Sequence, residues 1–398
     1  MRRAWLVTLF SLLCAAALAQ GIRAPYQALS DSVTRRMGFS PVAGNSLQFF
    51  RSGEAFKASL LQEIGAAKES IDLEYYWLED DAMGRPVRDA LVQKAREGLR
   101  VRVVVDNRII PLEKKSFFRT MEKAGVVFHF RQEFKDVRLW NLPEMAIGER
   151  DHRKIVVLDG RVAYTGGMNL CQESLEWDDT HLRIEGPLTV SLGALFDRTW
   201  QEVSGEVPSP RPLPDGPAPG NILAQLVHGD GDEDLEAVYL TLLGCVQRYV
   251  YLRSPYLVPP PRLLEAIQET ARRGVDVRIL LPQKSDWAFM NDITRYYYQS
   301  LHEAGVRLYT FAPAYDHTKS IVADDCFTCI GTVNLDNRSF YINEEDTVFF
   351  YGEDVARAAL ADFLDALERS QEVSAEDGRI TGLRKTWINF LLSIAPIL

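Results

Sequence analysis

His152-Arg-Lys154-Ile-Val-Val-Leu-Asp159, followed by Gly166-Gly167-Met-Asn169, returns in the second half of the chain. There it reads His317-Thr-Lys319-Ser-Ile-Val-Ala-Asp324, followed by Gly331-Thr332-Val-Asn334. Both copies fit H-x-K-x4-D-x6-G-[GT]-x-N. The chain has only six histidines, and two of them occupy matched places in this long string. One copy could arise by chance. Two in register point to a duplicated fold.

The flanking sequence repeats as well. Ile71 to Trp77 alternates like a strand, Val87, Leu91, Val92 and Ala95 keep a helical period, and Val101 to Val105 gives a second strand after Gly98. In the second half, Tyr249 to Arg253, then Leu263, Leu264, Ile267 and Ala271, then Val277 to Leu281 after Gly274 follow the same order. Each half continues into a helix ending in Ala-Gly-Val (Ala124 to Val126; Ala304 to Val306) and another strand. Helices are expected over Val190 to Trp200 and Val355 to Leu367. Strands alternating with helices imply an α/β architecture with parallel pairing. Pro208 to Pro219 carries six prolines between the halves, a semi-rigid extended strap.

On a strand, residues two apart face the same side, so His152 projects with Lys154 and His317 with Lys319. Asp159-Gly160 and Asp324-Asp325 are turn dipeptides. Two-residue turns at these points place Gly167 opposite His152 and Thr332 opposite His317. Asn169 and Asn334 then lie beside the histidines. Five residues at about 3.3 Å each separate Asp159 from Lys154 by roughly 16 Å. Although Asp159 and Asp324 complete the motif and count among its catalytic candidates, that distance assigns them turn formation and structural pairing. Asp179 and Glu345, each entering the next strand after a motif copy, read either as solvated charge or as the carboxylates that orient the histidines.

Two imidazoles and two ammoniums suit phosphodiester exchange. A neutral imidazole can attack phosphorus and form a phosphohistidine. A second, protonated imidazole supplies the leaving alkoxide with its proton and activates the acceptor hydroxyl on return. Lys154, Lys319, Asn169 and Asn334 stabilise the non-bridging oxygens. Such a site needs no metal and no cofactor. Asp230, Asp232 and Asp234 imitate a calcium loop, but Leu235 stands where the turn glycine belongs, so the stretch reads as a solvated acidic loop. Cys326-x-x-Cys329 has no second pair elsewhere and lies in an alternating strand pattern, which reads as buried or edge cysteines.

At these residues the chain resembles the phospholipase D superfamily with two HKD motifs, and within it the bacterial cardiolipin synthases. The resemblance is carried by the two motif strings and by Tyr164 to Asn169, Asp179 to Pro187, Ser254-Pro-Tyr256 and Gly331 to Ser339 with Asn343 and Glu345. It implies two similar phospholipase D-like lobes, each a mixed sheet flanked by helices, sharing one active site. It implies phosphatidylglycerol as donor and acceptor, cardiolipin and glycerol as products, and His152 as nucleophile. The expected divisions are a signal peptide or uncleaved anchor at 1–19, lobe 1 at 30–205, the Pro-rich linker at 206–220, lobe 2 at 221–375 and an amphipathic helix at 376–398.

Composition sets the remaining expectations. With 46% apolar and 25% charged residues the chain is an ordinary folded protein. Forty-five basic against 55 acidic residues give −10, a sign that disfavours a nuclease and any nucleic-acid partner. Arg2 and Arg3 precede an uncharged run from Ala4 to Ala19 that closes on Ala17-Leu18-Ala19, the pattern of an export signal. This reading makes the enzyme exported or membrane-associated, at the periplasmic or outer face of the inner membrane if the signal is cleaved. Leu383, Trp387, Phe390, Leu391 and Ile394 form an apolar stripe beside Arg379, Arg384 and Lys385, which suits an anionic membrane surface. The competing functions are a secreted phospholipase D using water as acceptor, a nuclease, and a non-catalytic lipid-binding module.

Overall fold

The computed structural model describes residues 21–106, 115–131, 148–214, 216–378, 380, 382, 386–389 and 392. The leader at 1–19 lies outside the described residues. So do Arg379, Leu383, Arg384, Lys385, Phe390, Leu391 and Ile394 of the C-terminal stripe.

The first lobe holds strands β1 (Val42–Phe50), β2 (Ser70–Tyr75), β3 (Arg100–Val105), β4 (Val127–Phe130), β5 (Lys154–Leu158), β6 (Val162–Gly166) and β7 (His181–Glu185). The second holds β8 (Ile222–Asp230), β9 (Tyr249–Arg253), β10 (Leu257–Val258), β11 (Asp276–Pro282), β12 (Arg307–Phe311), β13 (Ser320–Ala323), β14 (Phe327–Gly331), β15 (Leu335–Asp336), β16 (Glu344–Tyr351) and β17 (Ser370–Glu372). Among the described residues they build one 15-stranded sheet, ordered β17-β12-β11-β9-β13-β14-β16-β8-β1-β7-β6-β5-β2-β3-β4, with β10 and β15 paired apart from it. The order reads outward alike from the central antiparallel β1–β8 seam, β17 being the one addition. In each lobe three parallel strands (β2, β3, β4; β9, β11, β12) join an antiparallel run.

The buried Val101 to Val105 run lies inside the sheet, with helices over its faces, which is why it is apolar but for Arg102, whose guanidinium is paired with Asp72 and Asp197. The helices Leu188–Ser204 and Glu353–Glu368 close the lobes and contain the two expected stretches. Leu192, Phe196 and Trp200 of the former pack with Ile155, Val157, Leu226 and Val348, so one core cluster runs beneath both lobes.

Two features differ from the sequence expectation. The motif hairpins turn through three residues rather than two: Leu158 pairs with Val162, and Ala323 with Phe327. Asp159, Gly160, Asp324 and Asp325 all have positive φ. The extra residue shifts the register by one, so continuing each ladder sets Met168, not Gly167, against His152, and Val333, not Thr332, against His317. The helix Ala24–Met37 precedes the first lobe in sequence, yet packs on the second. Tyr26, Leu29, Val33 and Met37 join the core of Leu235, Tyr239 and Phe327, and Tyr26 donates to Asp324. Its apolar face finds there the surface that the β8 side leaves open.

The proline strap is pinned to the first lobe. Arg211 reaches back to Asp72 and Asp197 and lies over the Phe196 ring. Cys171, Cys245, Cys326 and Cys329 are all unpaired, three of them buried. At the C-terminus, Ile388 is buried and Leu392 packs against the second lobe, whereas Trp387 is 48% exposed.

Candidate active site

Each motif hairpin delivers its histidine to the seam, and a short backbone bridge carries it across. Asp151 pairs with Glu344 and Asp178 with Asp316. The His152 amide donates to the Glu344 carbonyl, and the His317 amide to that of Asp178, at 2.9 and 2.8 Å. Each imidazole therefore lies beside a carboxylate of the opposite lobe. His152 Nδ1 is 2.8 Å from Glu345 Oε2, and His317 Nδ1 is 2.6 Å from Asp179 Oδ2. All four side chains are buried.

The lysines follow the strand rule. Lys154 Nζ donates to the His152 carbonyl at 2.8 Å, and Lys319 Nζ to that of His317. Both point into the same buried centre. Asn169 and Asn334 sit beside it, their backbone amides held by Ser174 Oγ and Ser339 Oγ at 3.0 and 3.1 Å. Their side-chain carbonyl oxygens are buried with no partner among the described residues. Buried acceptors without partners carry a cost.

Asp159 and Asp324 do not join this centre. Asp159 accepts from the amides of Lys68, Glu69 and Ser70. Asp324 accepts from those of Gln247, Arg248 and Tyr249 and from the Tyr26 hydroxyl. Each aspartate fastens its turn to the start of a neighbouring strand, as the roughly 16 Å separation requires.

The electrostatics are set by burial. His152 is held well below its ordinary value by burial and by Lys154, Lys319, His317 and Arg338. Burial and Lys319 bring His317 down to about 4, against the pull of Asp179. Burial also lowers Lys154, and brings Lys319 to about 7. The carboxylates diverge. Burial pushes Glu345 up to about 7 despite hydrogen bonds from Thr332 and Ser339. Burial also raises Asp179, but His317 and Lys319 outweigh it and leave that carboxyl below its usual range. An entering phosphodiester anion offsets the crowded cations and restores the imidazoles' basicity.

Several residues at the site have roles that the sequence reading did not assign. Thr332 Oγ1 donates to Glu345, as does Ser339 Oγ at 2.7 Å. In the first lobe the place of Thr332 is taken by Gly167, where a Cβ would stand 2.1 Å from Asp179 Oδ1. Asp346 binds the Lys154 amide and the Thr165 hydroxyl, locking the second lobe to the first. Arg153, between the motif His and Lys, is buried against Asp230, Glu74 and Glu344. Asp230 is thus a structural counter-ion, not a solvated loop residue. The repeated N-x4-S spacing, Asn169 to Ser174 and Asn334 to Ser339, was the signal that could have found the serines.

Residues 60–200 and 239–367 match the family model described as cardiolipin synthase, PLD-like domain, one match in each lobe. The chain belongs to this family. Among curated relatives of this cardiolipin synthase-family protein is the major cardiolipin synthase ClsA of Bacillus subtilis. It is 31% identical over 369 residues, covering 89% of this chain and 75% of that one. The cardiolipin synthase of Listeria welshimeri is likewise 31% identical, with the same coverage. In fold, the chain is similar to the phosphatidylserine synthase of Haemophilus influenzae, with a TM-score of 0.71, 14% identity, and coverage of 94% of this chain and 100% of that one. It is also similar to the polyphosphate kinase of Porphyromonas gingivalis, with a TM-score of 0.57 and 11% identity, covering 88% of this chain and 52% of that one.

Family membership corrects the expected localisation. The exported, periplasmic protein read from the leader gives way to a relative of bacterial cardiolipin synthases across 89% of its length. Two arginines before a short apolar run are a pattern that export signals share with membrane-associating segments, so the run did not discriminate. No helix among the described residues is long and apolar enough to cross a membrane.

Proposed function

We propose that this protein is a phosphatidyltransferase of the cardiolipin synthase type, converting two phosphatidylglycerol molecules to cardiolipin and glycerol. The observation that carries the reading is the pair of imidazoles, each buried against the other lobe's carboxylate, with both motif lysines aimed into the same centre. One His–Lys set alone could bind a phosphate. Two facing sets supply a nucleophile on one side of phosphorus and a proton donor on the other, as in-line exchange requires.

In the first step His152 Nε2 attacks phosphorus. The bond to the head-group oxygen breaks, and His317 gives that oxygen its proton, releasing glycerol. In the second, His317 takes the proton of the acceptor's hydroxyl as its oxygen attacks phosphorus. The P–N bond breaks, and its electron pair returns to His152. Lys154, Lys319, Asn169 and Asn334 stabilise the charge on the non-bridging oxygens in both steps.

The exposed Trp387, next to the buried Ile388 and on a segment whose Leu392 packs on the second lobe, supports contact with an anionic lipid surface. Mass spectrometry of lipids after incubating the purified full chain with phosphatidylglycerol vesicles tests the function. Cardiolipin with stoichiometric glycerol is expected. Phosphatidic acid as the sole lipid product would replace this reading with a hydrolase.

A further inference from the structure

A duplicated centre poses a problem that its shared residues cannot solve. Two histidines, two lysines and two asparagines related by a pseudo-two-fold treat both ends of a phosphodiester alike, whereas the substrate's ends differ: one bears the diacylglycerol, the other a small head-group alcohol. Only residues that break the symmetry can choose which end meets which histidine.

The crossed bridges set the correspondence. Asp151 matches Asp316, Asp178 matches Glu344, and the Asn–Ser pairs coincide. Beside His152 stands Arg338, with Arg150 near it and held by Asp106 at 3.5 Å. The Arg338 guanidinium is fixed by the Gly148 carbonyl at 2.7 Å and Asn343 Oδ1 at 3.2 Å, and its charge reaches the His152 ring. At the matched positions, Tyr315 of the second lobe replaces Arg150 of the first, while Glu173 and Trp177 of the first lobe replace Arg338 and Asn343 of the second. The Trp177 ring lies 4.7 Å from that of His317, Tyr315 lies 5.8 Å from it, and the two aromatics meet at 5.1 Å. Tyr315 and Tyr256 both donate to Asp286, at 3.0 and 2.8 Å. The His152 side also has an aromatic, Tyr76 at 5.0 Å, but that ring lies among cations, Lys154 Nζ standing 5.5 Å from its centre. The His317 side pairs two aromatics with a hydroxyl and carboxylate rim.

We infer that Trp177 and Tyr315, rimmed by Tyr256 and Asp286, form the head-group subsite and take a small neutral polyol, so that the head group leaves and enters beside His317 while phosphatidyl passes to His152. This rests on the phosphatidyl-transfer reading above. A polyol presents C–H groups to an aromatic face and hydroxyls to the rim. The Asp286 carboxylate already accepts from Tyr256, Tyr315, Ser285 and the Trp287 amide, so it serves as an acceptor array rather than a bare counter-charge for an ammonium. The cations at the other side keep His152 neutral, the state a nucleophile needs, and then face the phosphoryl charge it receives. Ionised Asp179 beside His317 suits the imidazole that must carry the proton.

Partitioning of the phosphatidyl-enzyme tests this. With phosphatidyl-p-nitrophenol as donor, nitrophenolate release reports formation of the intermediate. The ratio of phosphatidylglycerol to phosphatidic acid, titrated with free glycerol, reports alcohol capture against water. Trp177→Ala should raise the half-saturating glycerol concentration by about tenfold, a larger change than its effect on nitrophenolate release, with Trp177→Phe in between. Asp286→Asn should shift capture in the same direction. His317→Ala should accumulate the adduct on His152. The inference is overturned if Trp177→Ala and Asp286→Asn leave partitioning unchanged, if release falls as far as capture, if ethanolamine outcompetes glycerol, or if the adduct forms on His317 in a His152→Ala protein. Wild-type protein that captures glycerol but makes no cardiolipin from phosphatidylglycerol would refute the synthase reading and leave the subsite standing.

Discussion

His152 Nδ1 lies 2.8 Å from Glu345 Oε2, though 193 positions separate them and they belong to different lobes. The reciprocal pair, His317 and Asp179, crosses the seam the other way. Neither lobe owns a complete imidazole–carboxylate unit, so the chemistry depends on the two halves docking in one geometry. A carboxylate on Nδ1 fixes the tautomer that leaves Nε2 free to act.

Replacing either carboxylate by its amide should therefore impair turnover without unfolding the protein. Glu345→Gln and Asp179→Asn are each expected to lower kcat by about 10²–10⁴-fold, by analogy of role with an orienting carboxylate in a triad. Steady-state kinetics beside far-UV circular dichroism checks this. Folded variants with near wild-type kcat would show that the crossed pairs are only structural.

The motif aspartates should separate from the other motif residues by phenotype. Asp159→Ala leaves three backbone amides without an acceptor, and Asp324→Ala leaves three and the Tyr26 hydroxyl. Each should cost about 2–4 kcal/mol. Lys154→Ala, Lys319→Ala, Asn169→Ala and Asn334→Ala should instead lose activity with little change in Tm. Burial holds both lysines below their ordinary values, and the asparagine side-chain oxygens have no partner among the described residues. Thermal melts of the six variants beside their rates decide the matter, and an inactive Asp159→Ala protein of normal Tm would contradict the assignment.

Acid should weaken the fold through His317. Its ring titrates at about 4 in the folded protein, below the ordinary value of about 6.5, so the unfolded chain binds more protons between those values. The contribution of this group is present above about pH 6.5 and is lost as pH falls towards about 4. Wild type should lose stability relative to His317→Gln across that window. Glu345, raised to about 7, acts with the opposite sign but is common to both proteins and largely cancels. Denaturant unfolding at pH 7.5, 6, 5 and 4.5 measures the difference, and parallel curves would refute it.

Trp387→Ala should weaken sedimentation with phosphatidylglycerol vesicles while leaving Tm within about a degree, because the indole is half exposed. Ile388→Ala is the contrast. Its buried side chain makes it a core position, and about 2–4 kcal/mol of stability should go with it. If Trp387→Ala left vesicle binding intact, the exposed indole would not be the membrane contact.

The sequence by itself determined the duplication, the α/β order of each half and the residues of the proposed phosphate centre. Those are local properties: the i, i+2 rule sets His152 with Lys154, and strand rise alone removes Asp159 from the chemistry. It also offered Asp179 and Glu345 as orienting groups. Which histidine each carboxylate serves was decided only by tertiary structure, through the Asp151–Glu344 and Asp178–Asp316 bridges, because no periodicity records what lies across a seam between elements more than a hundred residues apart. The three-residue turns were likewise hidden. Asp-Gly and Asp-Asp dipeptides fit two loop lengths, and the amides that Asp159 and Asp324 capture come from distant strands that hold the longer turn in place. The helix Ala24–Met37 was not read from the sequence, and only the packed lobes show that its apolar side is covered by the second lobe.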